Sequence, residues 1–256
     1  MSWDPSQYLK FAGERIRPAL DLLARIPASA PETVVDLGCG AGTLATLLLE
    51  RWPRATLIGV DSSPEMLAKA RADHPGVTFV EADVAAWRPQ QPVDVLYSNA
   101  ALHWLPGHDA LIPGLLTSVR PWGWLAIQMP RNFGAPSHTC VADAIAQGPW
   151  RTRLEAFLRR QPVAEPQHYW RLLHGGCARL EIWETEYLQV LEGDNPVAEF
   201  TKGTWLRHFL DRLDEPERSA FEADYRARVN AAYPTEADGR TLFPFRRLFI
   251  VAQRAS

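Results

Sequence analysis

Cysteine is scarce, and that scarcity excludes two chemistries. Cys39, Cys140 and Cys177 are the only three in 256 residues. Odd in number and widely spaced, they build neither a disulfide framework nor a metal-ligand pattern. The seven histidines show no metal spacing either. No apolar run approaches the roughly 20 residues that cross a bilayer. The N-terminus lacks the basic-then-apolar build of a signal peptide. Like charges form no block, and a formal net charge of −3 gives no reason to expect nucleic acid as a partner. Internal repeats and low-complexity tracts are absent. These absences predict a soluble cytoplasmic chain with no metal and with neither a membrane nor a nucleic acid as partner. They leave the oligomeric state open. The length is near the upper size of one domain with a single core.

One stretch organises what is present: Val34-Val35-Asp36-Leu37-Gly38-Cys39-Gly40-Ala41-Gly42. Two β-branched residues before an acid and a glycine cluster predict a buried parallel strand. Residues 43–50 (TLATLLLE) predict the helix that follows. Gly38, Gly40 and Gly42 lack Cβ atoms, so the backbone there can turn sharply and a ligand can approach. The helix then aims its first amides at that ligand. In a dinucleotide fingerprint, G-x-G-x-x-G, the third glycine falls one position later, where this chain has Thr43. A second strand, Leu57-Ile58-Gly59-Val60, ends in Asp61, an acid placed to accept hydrogen bonds from ribose hydroxyls. Together these features predict an adenosine site on a doubly wound sheet. The alternative is a glycine turn needed only for strand–helix packing. Cys39 within the turn reads as a small packing residue, with a reactive thiol as the alternative.

The acid followed by G-x-G-x-G resembles the first motif of class I S-adenosylmethionine-dependent methyltransferases. The resemblance continues in Asp61, in Glu81-Ala82-Asp83-Val84 and in Ser98-Asn99-Ala100-Ala101-Leu102-His103-Trp104, and covers residues 34–130. It implies a Rossmann-like fold: α/β, with a doubly wound, mostly parallel sheet of seven strands and a helical cap. It implies S-adenosyl-L-methionine as cofactor, held by Asp36, Gly38, Gly40, Gly42, Asp61, Ser62, Met66, Asp83, Val84 and Asn99. In that family the residue at Met66 packs on adenine, and the acid at Asp83 contacts the adenine amino group.

In chain order, residues 1–27 form an N-terminal arm and helix, with Ile16, Ala19, Leu20 and Leu23 at helical spacing toward the sheet. Pro18 is expected in that helix's first turn. Trp3, Tyr8 and Phe11 make the arm aromatic, either as a packed tail or as a flap over the cofactor. Residues 30–130 are the cofactor-binding core, with strands at 77–80, 93–98 and 124–130, a helix at 111–116 and a turn at 119–123. The βαβ alternation demands right-handed crossovers. Beyond Pro130 it stops. Residues 131–177 and 194–240 are predicted as helical cap insertions, the first broken near Gly148-Pro149. Residues 178–192 and 242–254 supply the last two strands, and 1–256 is read as a single methyltransferase domain.

Methyl transfer from a sulfonium is an in-line displacement, so the protein mainly orients and desolvates. A base is needed only for a protonated nucleophile. His103 is the one candidate base; the alternative is a packed or hydrogen-bonded histidine. No catalytic residue is otherwise assigned. His74, His108, His138, His168, His174 and His208 stay uninterpreted. Arginine grips carboxylates through a planar fork, and Arg15, Arg17, Arg131, Arg240, Arg246 and Arg247 lie near segments expected at the sheet's carboxyl rim. Surface charge balance is the alternative for any one of them.

A narrower resemblance is to the trans-aconitate methyltransferases. It rests on W-x-P-x-x-Y-x-x-F and R-x-R-P-A near the start, Asn99 to Trp104, Gln128-Met129-Pro130-x-Asn132, Gly148-Pro149-Trp150, and Ala232-Tyr233-Pro234 leading to Asp238-Gly239-Arg240. It implies a small anionic carboxylic acid as substrate, O-methylated to a monomethyl ester, with Tyr8, Arg15, Trp104, Tyr233, Arg240 and Arg246 around it. His103 and Arg131 depart from that family's glutamine and acid. Other readings are a class I methyltransferase for another small molecule or an acyl-carrier substrate, a nicotinamide-dependent oxidoreductase, and a non-catalytic cofactor-binding module.

Overall fold

The computed structural model describes residues 12–158 and 162–256. The expectations for Trp3, Tyr8 and Phe11, and for the Arg15 side chain, fall outside the described positions. Seven strands form one sheet: β1 (Thr33–Leu37), β2 (Thr56–Asp61), β3 (Thr78–Glu81), β4 (Val93–Asn99), β5 (Val119–Pro130), β6 (Cys177–Leu191) and β7 (Thr241–Arg254). Their order is β3-β2-β1-β4-β5-β7-β6. β1 pairs in parallel with both β2 and β4, β2 with β3, and β4 with β5. β7 runs antiparallel to β5, Leu125 opposite Ala252 and Met129 opposite Leu248. The strand order reverses between β1 and β4, the place where doubly wound sheets bind ligands beyond their carboxyl ends.

The central strands are apolar because both faces are covered. Val34, Val35 and Leu37 of β1 and Val95, Leu96 and Tyr97 of β4 are buried. Ser98 tolerates the same burial because its hydroxyl donates to the Leu37 carbonyl at 2.8 Å. Helix α1 (Ala12–Ala24) packs through Ala19, Leu22 and Leu23, and its Ala19 carbonyl accepts from the Tyr97 hydroxyl at 2.9 Å. Leu20 is 40 % exposed, which corrects the expected sheet-facing set. Pro18 lies inside this helix rather than in its first turn. α2 (Ala45–Arg51), α3 (Pro64–Asp73) and α4 (His108–Thr117) make the next connections.

The stretch 119–123, expected as a turn, belongs to β5. Trp122 takes a left-handed φ of +65°, and the β4–β5 register shifts between Val93 and Val95. The chain therefore kinks like a turn yet resumes the ladder.

Beyond β5 lie α5 (Pro136–Gln147), α6 (Arg151–Leu154), α7 (Pro166–Leu173), α8 (Pro196–Lys202), α9 (Arg207–Leu210) and α10 (Glu217–Ala232). By internal contacts the chain divides into two compact units. One comprises Arg17–Pro130, Pro162–Thr185 and Arg247–Ser256; the other comprises Met1–Ile16, Arg131–Gln161 and Glu186–Arg246. The second, helical unit has its own aromatic-rich core, which includes Trp150, Phe200, Trp205, Phe209, Phe221 and Phe243. Among the described residues no helix is long and apolar enough to cross a membrane, and no three acids, histidines or cysteines group as a metal site.

Candidate functional site

β1 ends at Leu37 and the chain turns through glycines at φ +81° (Gly38), +54° (Gly40) and +73° (Gly42). Side-chain-bearing residues reach this left-handed region at a cost of about 1–2 kcal/mol. A Cβ on Gly38 would stand 2.2 Å from the Ala101 Cβ, so the turn after β1 packs directly on the loop after β4. Among the described residues, a Cβ on Gly40 would meet nothing within 4 Å. That open space is a cradle of bare backbone.

Asp61, ending β2, fastens this turn. Its Oδ2 accepts the Gly40 N–H at 2.8 Å and its Oδ1 accepts the Ser63 N–H at 2.9 Å. A carboxylate offers about four acceptor positions, so about two stay available. Ser63 in turn caps α3 by accepting the Met66 N–H at 3.3 Å. Ser62 is exposed beside it and Met66 is half-buried. Asp83 is exposed, and its Oδ1 accepts the Ala85 N–H at 2.9 Å, while Val84 is buried. Cys39 is buried; desolvation first, then Asp36 and Asp61, hold its thiol far above the ordinary range. It is an inert packing residue.

Asp36 is only 3 % exposed. Desolvation, then the nearby Asp61 charge, pushes its carboxyl up to about 7. Across the switch point, Asn99 sits opposite Gln128, and the Ala100 N–H donates to the Gln128 carbonyl at 3.0 Å. Asn99 Oδ1 and both side-chain amide atoms of Gln128 are buried without hydrogen-bond partners among the described residues. Such groups cost about 1–3 kcal/mol each, so they mark a place built to meet a polar ligand. Ala100, between them and Ala101, holds a left-handed φ of +53°, strain of the kind stored at functional sites. Sequence reasoning did not place Gln128 in the site. Its signal was a lone amide inside the apolar run Trp124–Met129.

His103 and Trp104 follow in a 3-10 turn, Leu102–Trp104. His103 is buried, and its ring lies 4.7 Å from that of Trp104, which is 38 % exposed. The turn thus brings both sequence-predicted residues to the loop after β4. The remaining ones are in the helical unit. The Tyr233 hydroxyl accepts the Ser137 N–H at 3.2 Å. The Arg240 guanidinium is engaged by Asp238, with Nε to Oδ2 at 2.8 Å. Arg246 stands 3.7 Å from Glu186. Both arginines thus carry acidic partners of their own.

Two outcomes are expected. Gly38→Ala should lose about 2–5 kcal/mol of unfolding free energy through overpacking and backbone strain. Gly40→Ala should lose only about 1–2 kcal/mol, the backbone term alone. Equal losses in urea titrations would contradict the separate jobs assigned to them. Asp36 binds its proton more tightly folded than unfolded. Its contribution is therefore full below pH 4 and is lost as pH rises toward 7. Asp36→Asn removes this loss, so its stability gain over the parent should grow between pH 4 and 7 by an amount on the order of 4 kcal/mol, then level off. A gain that does not change with pH would mean an unshifted carboxyl.

Comparison with known proteins places these features. Residues 34–123 match the methyltransferase domain family. The trans-aconitate 2-methyltransferase of Azoarcus sp. is 49 % identical over 253 residues, covering 99 % of each chain. That of Methylobacterium nodulans is 48 % identical, covering 98 % of each. Among solved structures, the YcgJ protein of Bacillus subtilis superposes with a TM-score of 0.60 at 14 % identity, over 93 % of this chain and 97 % of its own. A methyltransferase from Thiobacillus denitrificans, in complex with S-adenosyl-L-homocysteine, does so with a TM-score of 0.55 at 18 % identity, over 99 % and 100 %. With its glycine turn, its strand-end acids and near-half identity over almost its whole length, the chain belongs to the class I S-adenosylmethionine-dependent methyltransferases.

Proposed function

We propose that this enzyme transfers a methyl group from S-adenosylmethionine to one carboxylate of a small polycarboxylic acid, trans-aconitate, giving its monomethyl ester. The observation that carries the reading is identity spread over both units. The match to the trans-aconitate 2-methyltransferases spans 99 % of the chain and so includes the helical unit, which the cofactor motifs do not reach.

The residues present fit the cofactor. Among the described residues, Gly40 offers bare backbone beside open space, and Asn99 and Gln128 offer buried amide atoms with no partner. Asp61 keeps acceptor positions for the ribose hydroxyls, and Asp83, with Val84, takes the adenine edge while Met66 packs on its face. Asp36, Gly38, Gly42 and Ser62 complete the set, in which the buried Asp36 favours a cationic ligand once ionised. The bound sulfonium supplies an electrophilic methyl group; the chain's own residues orient the acid and exclude water. Carboxylates not undergoing methylation need fixed partners, because an unpaired desolvated charge is expensive. We assign these to Tyr233, Arg240 and Arg246, with Tyr8, Arg15 and Trp104 as further contacts of the acid. An arginine that takes up substrate exchanges Asp238 or Glu186 for it.

The test is mass spectrometry of products after incubation with labelled S-adenosylmethionine and a panel of di- and tricarboxylic acids. Trans-aconitate should gain one methyl group. Bound cofactor without transfer to any acid would overturn the reading. A carboxylate ionises near pH 4 and needs no base at neutral pH, so His103→Gln should keep turnover within a few-fold of the parent. A loss of about two to four orders of magnitude, the range of general-base catalysis, with cofactor affinity intact, would make His103 a base.

A further inference from the structure

His108, uninterpreted in the sequence, opens α4 with only 8 % of its surface exposed. Its Nε2 lies 3.0 Å from the Leu102 carbonyl oxygen. A carbonyl only accepts, so Nε2 carries a proton. In the neutral ring Nδ1 is then bare, and it accepts the hydrogen of the Tyr169 hydroxyl at 2.8 Å. The Tyr169 oxygen in turn accepts the Ala164 N–H at 3.1 Å. Tyr169 is fully buried in α7. Each hydrogen bond thus has a fixed direction, running from Ala164 through the two side chains to Leu102. All of these residues belong to the unit that holds β1 to β5.

The bond to Leu102 is not needed to satisfy its carbonyl. That oxygen already accepts the Leu105 N–H at 2.9 Å, which closes the 3-10 turn. What His108 adds is a fixed position for the turn. Two residues earlier, the Ala100 N–H donates to the Gln128 carbonyl at 3.0 Å. Ala101 therefore lies between two anchors, one on β5 and one on α4. It is also the residue that packs where a Gly38 Cβ would stand. Ala100 holds its left-handed φ between the same anchors. A strained path of this kind persists only where its surroundings over-determine it. Without the anchor on α4, the loop gains paths in which Ala101 leaves the glycine turn.

We infer that His108 is a positioning residue of the cofactor site: with Tyr169 setting its tautomer, its Nε2–H holds the loop after β4 against the glycine turn. The inference rests on the reading above that seats S-adenosylmethionine at that turn. Loop paths that open the seat reduce the competent fraction of molecules, and apparent affinity falls by the same factor.

The test is the dissociation constant of S-adenosylmethionine by calorimetry, with the thermal midpoint, for the parent and four variants. His108→Leu fills the space but carries no donor; His108→Gln keeps an N–H at similar reach. Tyr169→Phe keeps the ring and loses the hydroxyl. Leu173→Ala removes buried packing from α7 and leaves the polar groups of the relay in place. His108→Leu should weaken cofactor binding about 5- to 30-fold and Tyr169→Phe about two- to five-fold. His108→Gln should stay within about three-fold of the parent. Leu173→Ala should lower the midpoint at least as much as His108→Leu yet bind the cofactor like the parent. Parent-like binding in His108→Leu overturns the inference; if that variant does not fold, parent-like binding in Tyr169→Phe does so. A loss in Leu173→Ala that matches His108→Leu also overturns it, since His108 would then act through packing alone. A parent that binds no S-adenosylmethionine ends the cofactor reading and this inference together. A parent that binds it but methylates no acid, with binding weakened in His108→Leu, supports this inference while the methyl-ester reading fails.

Discussion

The site depends first on one carboxylate holding two backbone amides. Asp61 reaches back to Gly40 with one oxygen and forward to Ser63 with the other. The first bond holds the glycine turn in its left-handed path. The second sets the start of α3, which Ser63 then caps. A single side chain therefore couples the ends of β1 and β2 to the helix that follows, and it does so with only about half its acceptor capacity. The rest of the cradle is shaped by what cannot be there. Gly38 allows the loop after β4 to lie against the turn, and Ala101 fills the room a side chain would have taken.

Charge around this fastening is arranged at a cost. Asp36 is buried, and desolvation, then the nearby Asp61 charge, disfavours its ionisation. Asn99 and Gln128 add amide atoms with no partner among the described residues. In the helical unit the His138 ring lies between those of Phe133 and Trp205, and Arg240 and Arg246 carry acidic partners, Asp238 and Glu186.

The glycine turn and the strands around it were legible in the sequence because their signals are local. Glycine spacing and a strand-end acid each need only a few neighbouring residues, and the right-handed crossovers followed from the alternation. What was not legible depended on distant partners. Pro18 was placed in the first turn of a helix whose described span already begins at Ala12. Pro121-Trp122-Gly123 has turn composition, yet Val119 and Trp124 on either side pair with β4 and keep it within β5. Gln128 was quoted for family resemblance alone, since its unmet amide shows only when its neighbours are known. His138 is a lone histidine until Asn132 and Arg246, far apart in sequence, are seen to join it through Ser137.

The place of β7 in the sheet bears on how the chain acquires its fold during synthesis. β7 comes last of the strands in sequence but lies inside the sheet, between β5 and β6. A nascent chain emerges from the ribosome with its N-terminus first. Until residue 254 has emerged, the edge of β5 that will pair with Leu248 to Gln253 has no native partner. An exposed, apolar edge of this kind is a template for pairing with other chains. The glycine turn and its flanking strands are complete much earlier, so the ligand-binding motif is translated well before the sheet that supports it can be finished. Chaperone protection is therefore most needed over the interval between β5 and β7, and shortening the chain near residue 254 would tax folding more than its distance from the glycine turn implies.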